Sequence, residues 1–173
     1  MPTGLKQTSS PIAIGFAVSE RATNTFEQTS IDLNLSPLDR EVFVVLSVNL
    51  NVTRPDGIAG TDTAASAAVS TTSMSNLGFV PDLSNSNVLA RIDSQITSAG
   101  YTDAGVGFTN ASSETPATNL EYIGIIATND FFVQVQGFQN TGIKRATGKL
   151  YGYRAVASAD IYAALVQSEV LSA

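Results

Sequence analysis

Between Val42 and Thr53 the chain alternates. Val44, Leu46, Val48, Leu50 and Val52 share one parity, and Ser47, Asn49, Asn51 and Thr53 share the other. Side chains of a strand point alternately to opposite faces, so this run predicts a strand with one buried and one polar face. Arg54-Pro55-Asp56-Gly57 ends it, because proline cannot donate to a ladder and Asp-Gly favours a turn. Leu120–Thr128 and Phe131–Phe138 form a second strong signal. Asn129-Asp130 between them predicts a two-residue hairpin turn, since both residue types tolerate positive φ. Within the latter run Phe131, Val133 and Val135 alternate with Gln134 and Gln136, the pattern of a half-buried strand.

Further strands are predicted over Ile12–Val18, Gln28–Leu35, Val88–Ile92 and Lys149–Ala157, with weaker signals at Ala67–Met74 and Gly105–Thr109. A helix over Ser84–Ser98 competes with the strand placed there. About eight short strands with turn signals between them are the layout of an antiparallel sandwich or closed barrel. Residues 56–66 and 109–119 are rich in Gly, Ala, Ser, Thr and Pro and read as surface loops. One helix closes the chain. Ser158 or Asp160 can cap it, and Ile161, Tyr162, Leu165 and Val166 make an apolar stripe. That stripe either covers one open end of the sandwich or forms an arm docking on a neighbouring subunit. The chain is read as one domain over 1–173, with 1–10 as a flexible arm.

Composition sharpens this picture. Of 173 residues 43% are hydrophobic and only 14% charged, against about 25% charged in ordinary domains. The surface is therefore largely Ser, Thr, Asn, Gln and Ala, whose hydroxyls and amides cost less to bury than ions. Extensive protein contact is favoured. The net charge of −6 and pI near 4.4 oppose attraction to nucleic acid or an anionic membrane. No sequence-specific nucleic-acid binding is expected, while contact with a membrane stays open. No apolar run approaches the length of a bilayer span. Met1–Ser10, with Lys6 its one cation, and the alternating Pro11–Val18 read unlike a secretory signal.

Catalytic chemistry is narrowed by what the sequence lacks. It contains no His and no Cys, which removes imidazole-assisted nucleophiles, thiolates, disulfides and the usual zinc and copper ligands. Asp32, Asp39 and Glu41 could form a carboxylate pair of the glycosidase kind. They flank Ser36-Pro37 with Arg40 among them, and read better as turn residues. Asp56 and Asp62 lack calcium-loop spacing. Gly105-Val106-Gly107 lacks the features of a phosphate cradle. The Asn51 and Asn110 glycosylation patterns read as chance matches in a chain rich in Asn, Ser and Thr. No metal or cofactor is expected, and the chain reads as a non-enzyme.

Lys144, Arg145, Lys149 and Arg154 supply four of nine cations with no acid between them. They mark either a contact with an acidic neighbour, a nucleic-acid backbone or a lipid headgroup, or an edge strand kept soluble by positive charge. With Ile161 and Leu165 of the helix, they are the candidate subunit or partner contacts. The aromatics Tyr122, Phe131, Phe132, Phe138, Tyr151 and Tyr153 are assigned mostly to the core by their alternation.

Two stretches carry a resemblance. Gly148-Lys149-Leu150-Tyr151-Gly152-Tyr153-Arg154-Ala155-Val156 passes into Ser158-Ala159-Asp160-Ile161-Tyr162 as a last sheet strand passes into an end helix. Ser30–Leu35, a turn and the long strand from Val42 have a similar layout. The arrangement resembles small coat proteins of tailless or environmental viruses, built as single jelly rolls. That resemblance implies a capsid subunit of the virion, homo-oligomeric, with copies of itself and other coat proteins as partners, and no catalytic residues. The basic N-terminal arm of genome-packaging coats is missing. Genome contact would then be indirect, through an inner membrane or another protein, or limited to a small patch. The other class in play is an extracellular or cell-surface binding module, carbohydrate-binding or adhesive, which would display exposed aromatics on one sheet face or a calcium loop.

Overall fold

A computed structural model describes residues 3–100, 102, 105–110, 113–114 and 120–171. Eleven strands and one helix follow in chain order: β1 (Leu5–Gln7), β2 (Ile12–Ser19), β3 (Glu27–Asp32), β4 (Glu41–Val52), β5 (Thr63–Ser70), β6 (Val88–Thr97), β7 (Val106–Asn110), β8 (Ser113–Glu114), β9 (Gly124–Ile126), β10 (Asp130–Phe138), β11 (Arg145–Ala157) and α1 (Ala159–Leu171). All strand pairs are antiparallel. In the first sheet β11 is central, with β1 and β2 on one side and β4 on the other, and β8 and β9 pair with the far side of β4. The second sheet runs β3-β10-β5-β6-β7. The chain changes sheet between β2 and β3, β3 and β4, β4 and β5, β7 and β8, β9 and β10, and β10 and β11. The two sheets face each other as a jelly-roll-like sandwich. Eight strands (β2 to β7, β10 and β11) have five residues or more and overlap predicted runs, as does the short β9 within Leu120–Thr128; β1 and β8 escaped the periodicity.

Between the sheets lies a core of Phe16, Val18, Phe43, Val45, Val48, Leu50 and Val52 from one side and Ala65, Ala67, Val69, Ile92, Phe131, Val133 and Val135 from the other. Phe16 and Phe131 meet edge-to-face across it, 5.8 Å between centroids. Small residues on β5 leave room for those rings. Gly148 does the same on β11: an added Cβ would lie 2.2 Å from the Asn49 carbonyl oxygen and 2.5 Å from the Phe16 ring.

Several expectations change. The alternation of β4 is not one face. Tyr151 pairs with Ser47 and Gly152 with Val45, so Leu46 is the extra residue of a bulge. Val48, Leu50 and Val52 therefore face the sandwich interior, whereas Val44 and Leu46 join a second apolar cluster on the other side of the sheet. The hairpin about Asn129-Asp130 does not form. β9 pairs with β4 in the first sheet, and β10 with β3 and β5 in the second. Asn129 instead ties this crossing to the β3–β4 connection, its backbone carbonyl accepting from Leu33 N and its Oδ1 from Leu35 N, both at 2.7 Å. Ile126 and Phe131 thereby reach the same core from opposite sheets. Residues 5–7, expected in a flexible arm, are β1 and pair with β11. Residues 88–97 are strand rather than helix. The 109–119 loop lies largely outside the described residues.

The end helix packs on its own sheet. Tyr162 N donates to the Ser158 carbonyl at 2.9 Å as the first helical bond, with Asp160 in the first turn, where a carboxylate suits the helix dipole. Ile161, Tyr162, Leu165 and Val166 cover Val42, Val44, Tyr153 and Ala155 on the outer face of the first sheet.

Candidate interaction site

The cationic group does not gather on an edge. Its strand, β11, is paired on both sides. Lys144 is 2% exposed, and its Nζ donates to Asp56 Oδ1 at 2.7 Å and to the Arg54 carbonyl at 3.1 Å. Asp56 Oδ2 in turn accepts from Thr141 N, Thr141 Oγ1 and Gly142 N. Lys144 and these donors hold the Asp56 carboxyl far below its ordinary value. Glu20, also buried, accepts Gly137 N and Lys144 N, each at 2.6 Å. Asn140 adds bonds to Ala64 O, Phe138 O and Asp56 N. Together these side chains bind three connections at one end of the sandwich into a rigid unit. Arg154 spans the opposite end, donating to Leu33 O at 2.8 Å and lying 3.6 Å from Glu41. Arg145 and Lys149 stand exposed on β11. Ile161 and Leu165 are half-buried against their own sheet. Of the six predicted contact residues, Arg145 and Lys149 thus present their side chains most freely to solvent.

The turn acids serve the turn. Asp32 accepts from Asn34 N and Asn129 Nδ2, Asp39 from Ser36 Oγ, and Glu41 from Ser36 N. Arg154, not Arg40, is the cation beside Glu41. Asp62 accepts Ser98 N and Ala99 N, which hold its carboxyl below the ordinary value. No helix among the described residues is long and apolar enough to cross a membrane.

The most distinctive surface is the outer face of the second sheet. The register lines up Phe138 of β10, Ala64 of β5, Gln95 of β6 and Phe108 of β7 across it, with Gln136, Ser66 and Asp93 in the next row. Phe138 and Phe108 are 59% and 53% exposed, and Phe79, from the β5–β6 connection, is 54% exposed. Ala64 and Ser66 form the low floor of two shallow depressions, of about 290 and 350 Å³, which the phenylalanines flank. Arg91 is committed there. It meets Asp93 through Nε at 2.7 Å and Nη2 at 2.9 Å, and its Nη1 bonds the Val80 and Pro81 carbonyls. Burial pushes the Asp93 carboxyl up, but Arg91 and the Ser66 hydroxyl outweigh this and hold it below its ordinary value.

The far half of that face is closed by residues 71–87, anchored by Arg91 and by Gln28, which accepts Met74 N at 2.7 Å and donates to Ser73 Oγ. This explains why Gln134, on the predicted polar side of β10, is fully buried, its amide donating to Ser70 Oγ at 2.7 Å. Alternation missed the open phenylalanines because it reports which side of a strand a residue is on, and each sheet here is covered on half of its outer side.

Comparison with known proteins yields a fold likeness. Merkel cell polyomavirus VP1, in its unassembled pentamer, is 7% identical over 88% of this chain and 98% of its own, with a TM-score of 0.41. A Desmodium yellow mottle tymovirus structure is 12% identical over 92% of this chain and 95% of that one (TM-score 0.29). A nora virus structure is 11% identical over 91% and 62% (TM-score 0.33). These are viral capsid proteins. The chain resembles them weakly. No protein-family model matches the chain, and no curated protein matches its sequence.

Proposed function

We propose that the chain is a non-catalytic structural subunit that associates with copies of itself into a viral shell, residing in the virion. One observation carries this reading: large apolar side chains stand exposed on several separate parts of an internally braced sandwich. Phe79, Phe108 and Phe138 stand on the outer face of the second sheet, and Leu38, 95% exposed, tips the β3–β4 turn. Ile143 projects from the β10–β11 connection, and Val170 and Leu171 from the end of α1. A subunit of a closed shell meets neighbours on more than one side, and each contact benefits from a desolvated apolar centre. The low charge of the surface supports the same reading. The test is the mass of the purified protein by light scattering, with negative-stain images of the same sample. Rings, shells or a defined oligomer are expected; a strictly monomeric protein at high concentration opposes the reading.

A second reading has its own support. Three exposed phenylalanines on one sheet face are what a binding module would display, since aromatic faces stack on sugar C–H surfaces and other apolar ligands. Its check is glycan-array binding by the wild type and by Phe138→Ala. Specific binding lost in the variant would favour the module over the shell subunit.

A further inference from the structure

An unpaired strand edge is a template for another chain, and proteins commonly guard such edges with charge, proline or a covering element. Most edges of this sandwich are guarded. β3 carries Glu27 and Asp32, with Arg21 3.2 Å from Glu27. β1 carries Lys6. β9 is closed by α1, whose buried Glu169 accepts Ala127 N at 3.0 Å and Thr128 N at 3.1 Å just beyond the strand.

β2 and β7 are the exceptions. β2 reads Ile-Ala-Ile-Gly-Phe-Ala-Val-Ser and β7 reads Val-Gly-Phe-Thr-Asn, without a charge or a proline in either. Among the described residues β2 pairs with β11 alone and β7 with β6 alone. They lie on opposite flanks and in opposite sheets. β2 borders the first sheet where it faces β3 and β10, whereas β7 borders the second sheet on the far side of β6. Their side chains are complementary in size. Val106 and Phe108 stand exposed on β7, while the exposed positions of β2 include the small Ala13, Gly15, Ala17 and Ser19. A phenylalanine beside a cross-strand glycine is an arrangement this protein already uses, Phe16 lying against Gly148. Neither edge brings a charge that would repel the other.

We infer that the free edge of β7 pairs with the free edge of β2 on a second copy, so that a sheet continues across the subunit boundary. Backbone hydrogen bonds supply the attraction, and the match of bulky to small side chains sets which edges meet. Because the two edges are different surfaces on opposite flanks, the contact is head-to-tail and propagates into a ring or an extended row. The inference rests on the shell-subunit reading and gives that reading its lateral contact.

Val106→Lys and Ala17→Lys each place a cation at one exposed edge position, the device the guarded edges use. Wild type should associate into species far larger than either variant gives alone, with an unchanged circular dichroism spectrum in each variant. Mixed one to one, the variants should regain one β7–β2 contact and double the mass that either shows alone, because each lacks a different edge. Phe108→Lys and Ala13→Lys replace either variant that fails to fold. Wild-type-like association by both variants would overturn the β7–β2 contact and leave self-assembly standing through another surface. So would a one-to-one mixture no heavier than either variant alone, because the two free edges would then not be meeting. A wild type that stays monomeric throughout would overturn both the contact and the shell-subunit reading.

Discussion

Removing either partner of the Lys144–Asp56 pair should destabilise the fold, and unequally. Lys144 is almost wholly buried, and its ammonium is held by Asp56 Oδ1 and the Arg54 carbonyl. Asp56→Asn leaves that cation without a counter-charge. Breaking a buried pair costs about 3–5 kcal/mol, and the 31% exposure of the Asp56 side chain argues for the lower end, about 3 kcal/mol. Lys144→Met removes the charge itself and leaves Asp56 with its donors from Thr141 and Gly142. A cost of about 1–2 kcal/mol follows for the two lost bonds. In a domain of this size each kcal/mol moves Tm by about 2–4 °C. Thermal and urea unfolding should therefore rank wild type above Lys144→Met and Lys144→Met above Asp56→Asn. The double variant should lose less than the sum of the two. Lys144→Met with unchanged stability but altered self-association would refute this reasoning and return Lys144 to the contact surface.

Other outcomes follow from the same geometry. Burial raises the Glu169 carboxyl above its ordinary value despite its bonds to Ala127 and Thr128. The protonated form is thus favoured by folding: its contribution is fully present below the unfolded value, about 4.3, and is lost as pH rises through the folded one. Glu169→Gln should flatten that part of the stability–pH curve; an unchanged curve would contradict the assignment. Asp56 acts oppositely, since its folded value is depressed; its contribution is present above about 3.9, the unfolded value, and is lost as pH falls. Asp56→Asn should therefore weaken the acid limb of unfolding in a pH titration. Gly148→Ala should cost about 3 kcal/mol by overpacking, because the new Cβ meets the Asn49 backbone carbonyl, and denaturant melts will show it. Phe138→Ser should leave stability within about 0.5 kcal/mol while reducing self-association measured by light scattering.

Much of the fold was legible from period two alone, because Val48, Leu50 and Val52, or Phe131, Val133 and Val135, face one core continuously. What escaped depends on partners remote in sequence. Leu46 reads as part of one unbroken stripe, and only its pairing against β11 shows the bulge. Asn129-Asp130 has the composition of a hairpin turn, yet Ile126 and Phe131 are both drawn to the core from different sheets. Lys144 looks like a surface cation until Asp56, 88 residues away, is placed beside it. Phe138 and Gln134 share one side of β10, one exposed and the other buried, because the 71–87 connection covers only part of that face. The helix stripe was readable, and its two alternatives were separated only by the apolar patch on β4 and β11 beneath it.

Sedimentation of the wild-type chain over a wide concentration range, at low and high salt, tests self-assembly most directly. A mass rising well above 18.1 kDa to a multimer that persists in high salt is expected, because the proposed contacts are apolar and backbone-mediated rather than ionic. A single monomeric species at every concentration and both salts would contradict it.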